Sequence, residues 1–466
     1  MKAVAAVDLG ATSGRVVLGR VAPDRVDIDV VARFANDPVR TIDGLHWNVL
    51  GLFSEVVAGL SAAARAEPAL AGVGVDSWAV DYALLRDGRM LANPYHYRDE
   101  RTAAGVDTVH KVVPFEALYR RNGLQFLPFT TLYQLAADAD ALSVADTALL
   151  IPDLIGFWLT GERVAEVTNA STTGLLDVTA KTWDRDLADQ VGVPTGLLQP
   201  LVEPGHVIGP TLDYLGLGRA LDVVTVGSHD TASAVAAVPM DASTAAYISC
   251  GTWGLVGVEL ELPVLTDASR AANFTNETGV DGRVRYLHNV MGLWLLNESI
   301  REWERVDGPL VLAELLAEAA AVDGAGAVFD PNDPAFLPPG DMATRIADHC
   351  LEHGLPVPSG RAAMTGSILT SIASAFAQTV ATAATLSGRD VRTIHIVGGG
   401  AANPLLCQLT ADHAGLPVVA GPVEATAIGN ILVQARAAGA VTGDLDALRA
   451  VVARSTMLTT HHPRSR

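Results

Sequence analysis

Lysine is nearly missing from this chain. Only Lys2, Lys111 and Lys181 occur in 466 residues, and none lies in a G-x-x-x-x-G-K-[ST] setting. That excludes a Walker-type phosphate loop, whose lysine reaches the β- and γ-phosphates. It also excludes the protein-kinase arrangement, which sets a strand lysine opposite a glycine-rich loop. Cysteine is as scarce: Cys250, Cys350 and Cys407 are odd in number, far apart and without metal-ligand spacing. Neither a disulfide framework nor a zinc site is indicated, and a reducing cytoplasm is the expected compartment. Positive charge is thin overall, with 32 Lys and Arg against 52 Asp and Glu and a formal charge of −20. No basic cluster offsets the repulsion toward phosphate backbones and anionic membranes, so neither nucleic acid nor membrane is an expected partner. Aromatics make up 5% of a chain that is 49% hydrophobic, a balance that fits a soluble protein of closely packed helices and sheets.

The opening residues, "MKAVAAVDLGATSG", form an apolar run broken at once by Asp8, without the length or cleavage region of a secretory signal. They read as a first strand. No charge occurs between Arg361 and Arg389, but Ser, Thr and Ala crowd that stretch, and a helix buried inside a domain is expected rather than a membrane span. A chain of this length exceeds what one hydrophobic core usually supports. The loop signals and strand of 204–227 place a boundary near residue 240, giving domains 1–240 and 241–466.

Each half opens with the same kind of turn. Residues 3–19, "AVAAVDLGATSGRVVLG", read as strand, Gly-containing polar turn and strand, and residues 245–257, "AAYISCGTWGLVG", repeat the pattern. Glycine at such turns lets backbone N–H groups converge on an anion, which is one way to hold phosphates without lysine. Each turn by itself is also an ordinary hairpin. Segment 70–85 reads as two short strands around a polar junction, and 147–161 as a helix ending at Gly161. The expected helix 292–306 and the strand, triple-Gly turn and helix of 393–409 complete an α/β pattern.

The stretch "TVGSHDTASAVAAV" (225–238) sets His229 and Asp230 between an apolar run and a helix. Three readings are open. Ser228 or Asp230 can cap that helix; His229 and Asp230 can be metal ligands of a phosphohydrolase; or Asp230, ionised at a helix N-terminus, can accept the proton of a hydroxyl that attacks a γ-phosphate. In the last reading His229 and Thr231 flank the base and offer hydrogen bonds to a polyol.

Taken together, these motifs resemble those of the FGGY carbohydrate kinases along nearly the whole chain. "AVDLGATSGRVVLG" is similar to the family's first phosphate hairpin, "SHDTASAV" to its base motif, "SCGTWGLVG" to its second hairpin, "IVGGGAAN" to its adenine-site turn and "GPVEATAIGN" to the segment after it. The resemblance implies an α/β fold of two actin-like (ribonuclease H-like) ATPase domains around a central cleft, sugar-binding in 1–240 and nucleotide-binding in 241–466. The segments "DSWAVDY", "YRDERT", "GLQFLPFTTLYQL", "TNASTTGLLD", "ANFTNE" and "NVMGLWLLNES" are similar to those of family members that phosphorylate L-rhamnulose.

What this implies is transfer of phosphate from ATP to the C1 hydroxyl of a ketose, L-rhamnulose, by a cytoplasmic monomer or homodimer. Asp230 is the implied base. Ala79, through its backbone, His229, Thr231 and Asn289 are the implied sugar contacts. Ala11, Thr12, Ser13, Gly14, Arg15, Thr252, Asn297 and Gly399 are implied to meet ATP, and Asp8 to hold Mg²⁺ through water. Ala79 stands where such kinases can have Gly, and Asn297 where Gln is familiar, which bears on substrate preference and ATP affinity. The alternatives are a kinase for another ketose or polyol such as L-fuculose or L-xylulose, a non-catalytic sugar or nucleotide sensor, and a NAD(P)-dependent dehydrogenase. "VGGGAAN" hints at the last but lacks G-x-G-x-x-G.

Overall fold

A computed structural model describes residues 1–322 and 326–464. By internal contacts the chain forms two compact units, one of Met1–Pro239, Leu260–Tyr286 and Ala425–Thr456, the other of Met240–Glu259, Leu287–Glu424 and Met457–Arg466. The chain first leaves the first unit between Pro239 and Met240. Two later segments return to it, so the units are not a single cut of the sequence.

The first unit is built on a six-stranded sheet in the order Val207–Pro210, Asp222–Val224, Leu70–Ser77, Lys2–Leu9, Ser13–Ala22, Arg25–Ala35. Lys2–Leu9 runs parallel to Leu70–Ser77 and antiparallel to Ser13–Ala22. Seven of its eight residues are buried, which is why it reads as one continuous apolar run: a strand covered on both faces cannot alternate with polar residues. Side chains nonetheless alternate in direction. Ala5, Val7, Leu9, Val73 and Val75 enter one core with helix Val49–Ala66 and helix Ile151–Thr160. Asp8 and Asp76 sit opposite each other in register, and Asp76 is bonded by Asn430 of helix Ala425–Ala437 on the other face.

Helix Val49–Ala66 forms because Val49, Leu52, Val56, Leu60 and Ala63 recur at helical spacing and are buried, and because Asn48 accepts from Gly51 N at its start. Close approach on the other face depends on glycine: a Cβ on Gly74 would lie 2.6 Å from Asn430 Oδ1, and one on Gly19 2.5 Å from Ile431 Cγ2. Apolar helix Gly360–Ser387, free of charge after Arg361, buries Ile368, Leu369, Ile372, Phe376 and Val380 in the second unit, as expected of a core helix.

The second unit is built on strands in the sheet order Ala245–Cys250, Thr393–Val397, Val418–Ala420, Thr459–His461, with Trp253–Leu260 paired to Ala245–Cys250 and belonging to this unit through Glu259. Both expected hairpins are present. Leu9 pairs with Gly14 in the first and Cys250 with Gly254 in the second. Each first strand also has a parallel neighbour, Leu70–Ser77 or Thr393–Val397.

Two local readings are corrected. Segment 147–161 is not all helix: Thr147–Leu150 is a strand paired with Tyr82–Arg86, and the helix runs Ile151–Thr160, ending at Gly161 with φ 84°. The helix after the His-Asp pair is Asp230–Ala236, and its N-cap residue is His229, with no side-chain cap bond. Ser228 instead donates its hydroxyl to Glu166 at 2.6 Å.

Candidate active site

Two acidic residues of the first unit, Asp8 and Asp76, lie near the ends of adjacent strands. Asp8 is buried and takes Arg15 Nε at 2.8 Å, with Arg15 Nη2 at 2.6 Å. Asp76, beside it in register, is fully buried and accepts Asn430 Nδ2 at 2.6 Å on Oδ2. Its Oδ1 has no hydrogen-bond partner. Burial first, then the charges of Asp8 and Asp230, push the Asp76 carboxyl well above the usual carboxylate range, against the pull of Asn430 and Arg15. Sequence reasoning missed Asp76, although "VGVDS" repeats the apolar-run-then-Asp pattern of "AAVDL".

The His-Asp pair is tied to the same strand end. Ser77 N donates to Ser228 O at 2.9 Å, and Ser77 bridges His229. Glu166, fully buried, accepts Ser228 N at 3.0 Å, Ser228 Oγ, and Thr168 Oγ1 at 2.5 Å, which fixes the loop before the helix. Asp230 opens that helix with its side chain 31% exposed, so solvent or a ligand can reach it, while His229 is buried at 7%. His229 Nε2 lies 3.4 Å from Asp230 Oδ1. Thr231 Oγ1 donates to that same oxygen at 3.1 Å. Thr231 therefore touches the carboxylate itself, a contact the expected sugar role did not anticipate.

Behind the imidazole stands a buried ion pair that sequence reasoning also missed. Arg285 Nη2 is 3.1 Å from His229 Nδ1, Arg285 Nη1 is 3.0 Å from Glu277 Oε2, and that oxygen is 3.3 Å from Nδ1. Burial raises the Glu277 carboxyl, but the Arg285 charge and His229 together bring it below the usual range. A charged residue inside an apolar strand such as "VRYLHNVM" was the only sequence signal.

Ala79 is partly exposed in a tight three-residue turn: Asp81 N donates to Ala79 O at 2.9 Å across Val80. Val80 has φ 67°, a costly conformation for a β-branched residue, of the kind that persists only where surroundings over-determine it. The surroundings do so. Val80 O accepts Thr131 Oγ1 at 2.6 Å. Asp81, buried, accepts Trp47 Nε1 at 2.6 Å, Trp78 Nε1 at 3.0 Å, Tyr97 N at 3.2 Å and Gln134 Nε2 at 2.8 Å. Burial pushes its carboxyl up to about 6 despite these donors. Beside it the Trp47 ring stacks on His96 and meets the tilted Trp78 ring, with a centroid distance of 4.0 Å to each. Ala11, Thr12 and Ser13 form the open tip of the first hairpin and Gly14 is buried behind it, where a Cβ would meet the Phe34 ring.

The second unit brings Thr252, Asn297 and Gly399 together around Cys250 and Gly251. Leu293 N donates to Gly251 O at 2.9 Å, Gly292 N to Thr252 O at 3.1 Å, and Asn297 N to Leu293 O at 2.9 Å, so the second hairpin carries the start of helix Trp294–Asp307. Gly398 has φ 78°, and a Cβ there would be 3.0 Å from Cys250 O. Only glycine permits that turn to lie on the hairpin. Asn297 and Gly399 are exposed; Thr252 and Asn289, on strand Val284–Met291, are partly so.

Within each unit, then, a glycine-bearing hairpin stands beside a parallel strand, and the first unit adds a reachable carboxylate: parts suited to holding a phosphate-bearing nucleotide and deprotonating an alcohol. The chain belongs to the FGGY family of carbohydrate kinases, whose N-terminal domain model matches residues 4–237 and whose C-terminal domain model matches residues 246–438. It is therefore a sugar kinase, with ATP as co-substrate.

Among its relatives, a protein named rhamnulokinase from Pectobacterium carotovorum is 42% identical over 472 residues, covering 100% of this chain and 94% of that one. A rhamnulokinase from Bacteroides thetaiotaomicron is 38% identical, covering 98% and 95%. Solved structures share the fold at low identity. A ligand-bound xylulose kinase from Lactobacillus acidophilus has TM-score 0.78 at 18% identity, covering 100% of this chain and 94% of that one. A Plasmodium falciparum glycerol kinase with ADP has 0.77 at 14%, with the same coverage.

Proposed function

We propose that the protein transfers the γ-phosphoryl group of ATP to the C1 hydroxyl of L-rhamnulose, yielding L-rhamnulose 1-phosphate and ADP. The name shared by its relatives supports the choice of sugar. The observation that carries the chemistry is Asp230: a partly exposed carboxylate held on Oδ1 by Thr231 and facing His229 Nε2. In the step, the C1 oxygen forms a bond to the γ-phosphorus as the bond to the β,γ-bridging oxygen breaks, ADP takes the departing electron pair, and Asp230 receives the hydroxyl proton. In the first unit, the partly exposed backbone around Ala79, fixed by Asp81, would position the ketose together with His229, and Ala11 to Arg15 would meet phosphate oxygens. In the second unit, Asn289 is the proposed sugar contact, and Thr252, Asn297 and Gly399 are the proposed nucleotide contacts.

The acidic pair fits Mg²⁺, a hard cation that takes one or two carboxylates and keeps several waters. Asp76 Oδ1 is a buried oxygen without a partner, and Asp8 stands beside it in register. Asp8 would hold the ion through water, with Asp76 next to it. The ion would supply charge neutralisation on the phosphate oxygens. The reducing cytoplasm is the compartment that three free, buried cysteines fit, and a monomer or homodimer without nucleic acid or membrane partners is the form proposed.

The test is phosphoryl transfer from labelled ATP by the purified protein over a panel of L-rhamnulose, L-fuculose, L-xylulose and related ketoses, with Asp230→Ala alongside. The expected result is highest kcat/KM on L-rhamnulose. In the variant, kcat should fall by roughly 10²–10⁴, the contribution of a positioned base, with sugar Kd within a few-fold. A preference for another ketose would move the substrate and keep the chemistry. No turnover on any sugar would favour a sensor, and NAD(P) binding in place of ATP a dehydrogenase.

A further inference from the structure

We infer that Arg285, paired with Glu277, is a positioning residue that fixes the protonation form of His229, so that the ring presents an N–H rather than a lone pair toward Asp230. The inference rests on reading Asp230 as the base. Its geometry stands independently of which sugar is bound.

Arg285 is fully buried and its guanidinium is locked. Nε and Nη2 both donate to Thr278 O, at 3.2 and 3.1 Å. Nη2 also reaches His229 Nδ1 at 3.1 Å, and Nη1 faces Glu277 Oε2 at 3.0 Å. A guanidinium has five N–H donors, no acceptor, and does not lose its proton in proteins. Toward Nη2, the shorter of its two contacts, Nδ1 accepts, whereas Glu277 Oε2 at 3.3 Å would call for an Nδ1–H. A neutral imidazole carries one proton, which is then on Nε2, the nitrogen 3.4 Å from Asp230 Oδ1.

The consequence is electrostatic. An Nε2–H points its donor at Oδ1 and leaves Oδ2 for the incoming hydroxyl. The other tautomer would set a lone pair against a carboxylate oxygen, which repels it and turns the carboxylate out of place.

Glu277 pulls the other way. Its Oε2, 3.3 Å from Nδ1, would accept from an imidazolium, and it balances the buried guanidinium. The charged groups within reach of the ring are Asp230 on its own segment, Glu277 on strand Thr275–Thr278 and Arg285 on strand Val284–Met291. Removing Arg285 lets the ring take a second proton against Glu277, and a cationic ring beside Asp230 makes that carboxylate a weaker base. Removing the Glu277 charge does the reverse.

Two measurements test this. In the full chain labelled with ¹⁵N-histidine, the signal lost in His229→Gln identifies His229 among 12 histidines. The expected spectrum above neutral pH is the Nε2–H tautomer, and an Nδ1–H signal overturns the inference whatever the enzyme phosphorylates. Second, pH profiles of kcat/KM are compared. Because the reading requires a neutral ring, the acid limb follows the pH at which the ring becomes cationic: Arg285→Met should move it to higher pH and lower neutral-pH kcat by on the order of tenfold to a hundredfold, part of what a positioned base supplies, whereas Glu277→Gln should move it to lower pH.

Loss of stability in both variants with unmoved acid limbs would show a merely structural ion pair and overturn the inference. Should either variant fail to fold, the tautomer of the wild-type ring decides. Failure of the wild type to phosphorylate any sugar would instead sink the reading of Asp230, leaving the tautomer result to stand or fall separately.

Discussion

Gly429→Ala is a one-methyl perturbation on a helix that follows the candidate base motif by some two hundred residues in sequence, yet it should disable the site. A Cβ at Gly429 would lie 1.8 Å from Ser233 O and 2.7 Å from Ser233 C, backbone atoms of helix Asp230–Ala236. Relief to the 3.0 Å below which Cβ contacts are essentially never seen requires about 1.2 Å of movement. The obstacle is backbone, so no rotamer change absorbs it, and Ser233 is itself fully buried with its hydroxyl bonded to Gly227 O at 2.7 Å.

Two effects compete. Alanine gains about 1 kcal/mol of helix propensity over glycine, while overpacking a tight contact costs typically about 1–3 kcal/mol. The fixed backbone contact places this site at the upper end, and destabilisation wins by about 2 kcal/mol. Function should suffer more. Asp230 stands three residues before Ser233 on the same short helix, and displacement of a catalytic group by about 1 Å can cost roughly 10²-fold in rate. Urea unfolding and steady-state phosphorylation of the best sugar read the two effects. A variant with the wild-type midpoint and kcat within about twofold would show that the two helices are not in contact as described, and would refute the reasoning.

The buried carboxyls give further expectations. Asp81 titrates at about 6 in the fold against 3.8 ordinarily, so the native state binds its proton more tightly than the unfolded chain. The stability this confers is present below about pH 4 and is lost as pH rises through about 6. Two pK units correspond to about 3 kcal/mol, and urea midpoints measured across that window should fall further in wild type than in Asp81→Asn. Equal slopes would refute the assignment. Asn430→Leu removes the donor to Asp76 Oδ2 and the acceptor for Gln434 Nε2. It should lower stability by about 1–3 kcal/mol, the cost of stranding a buried polar group. An unchanged midpoint would show that Asp76 finds another partner.

Much of the fold was legible because it depends on local pattern. Apolar runs stopped by Asp8 and by the glycines of 251–254 gave both hairpins, whereas "SHDTASAV" by itself left Asp230 open as helix cap, metal ligand or base, and only the resemblance implied the last. The helix Trp294–Asp307 and the triple-glycine turn followed from periodicity and from glycine's freedom at positive φ. Segment 147–150 misled because a short apolar run has no period that separates strand from helix; pairing with Tyr82–Arg86 decided it.

What tertiary structure alone decided are contacts between residues far apart in the chain. Asp76 meets Asn430 across 354 positions, Arg285 meets His229 across 56, and Gly429 is glycine because a helix elsewhere in the sequence passes against it. Periodicity and turn chemistry act over a few residues and specify which face of each element is apolar. Which buried charge answers which depends on how those faces pack. A charge removed from water must find its partner there, wherever along the chain that partner happens to be.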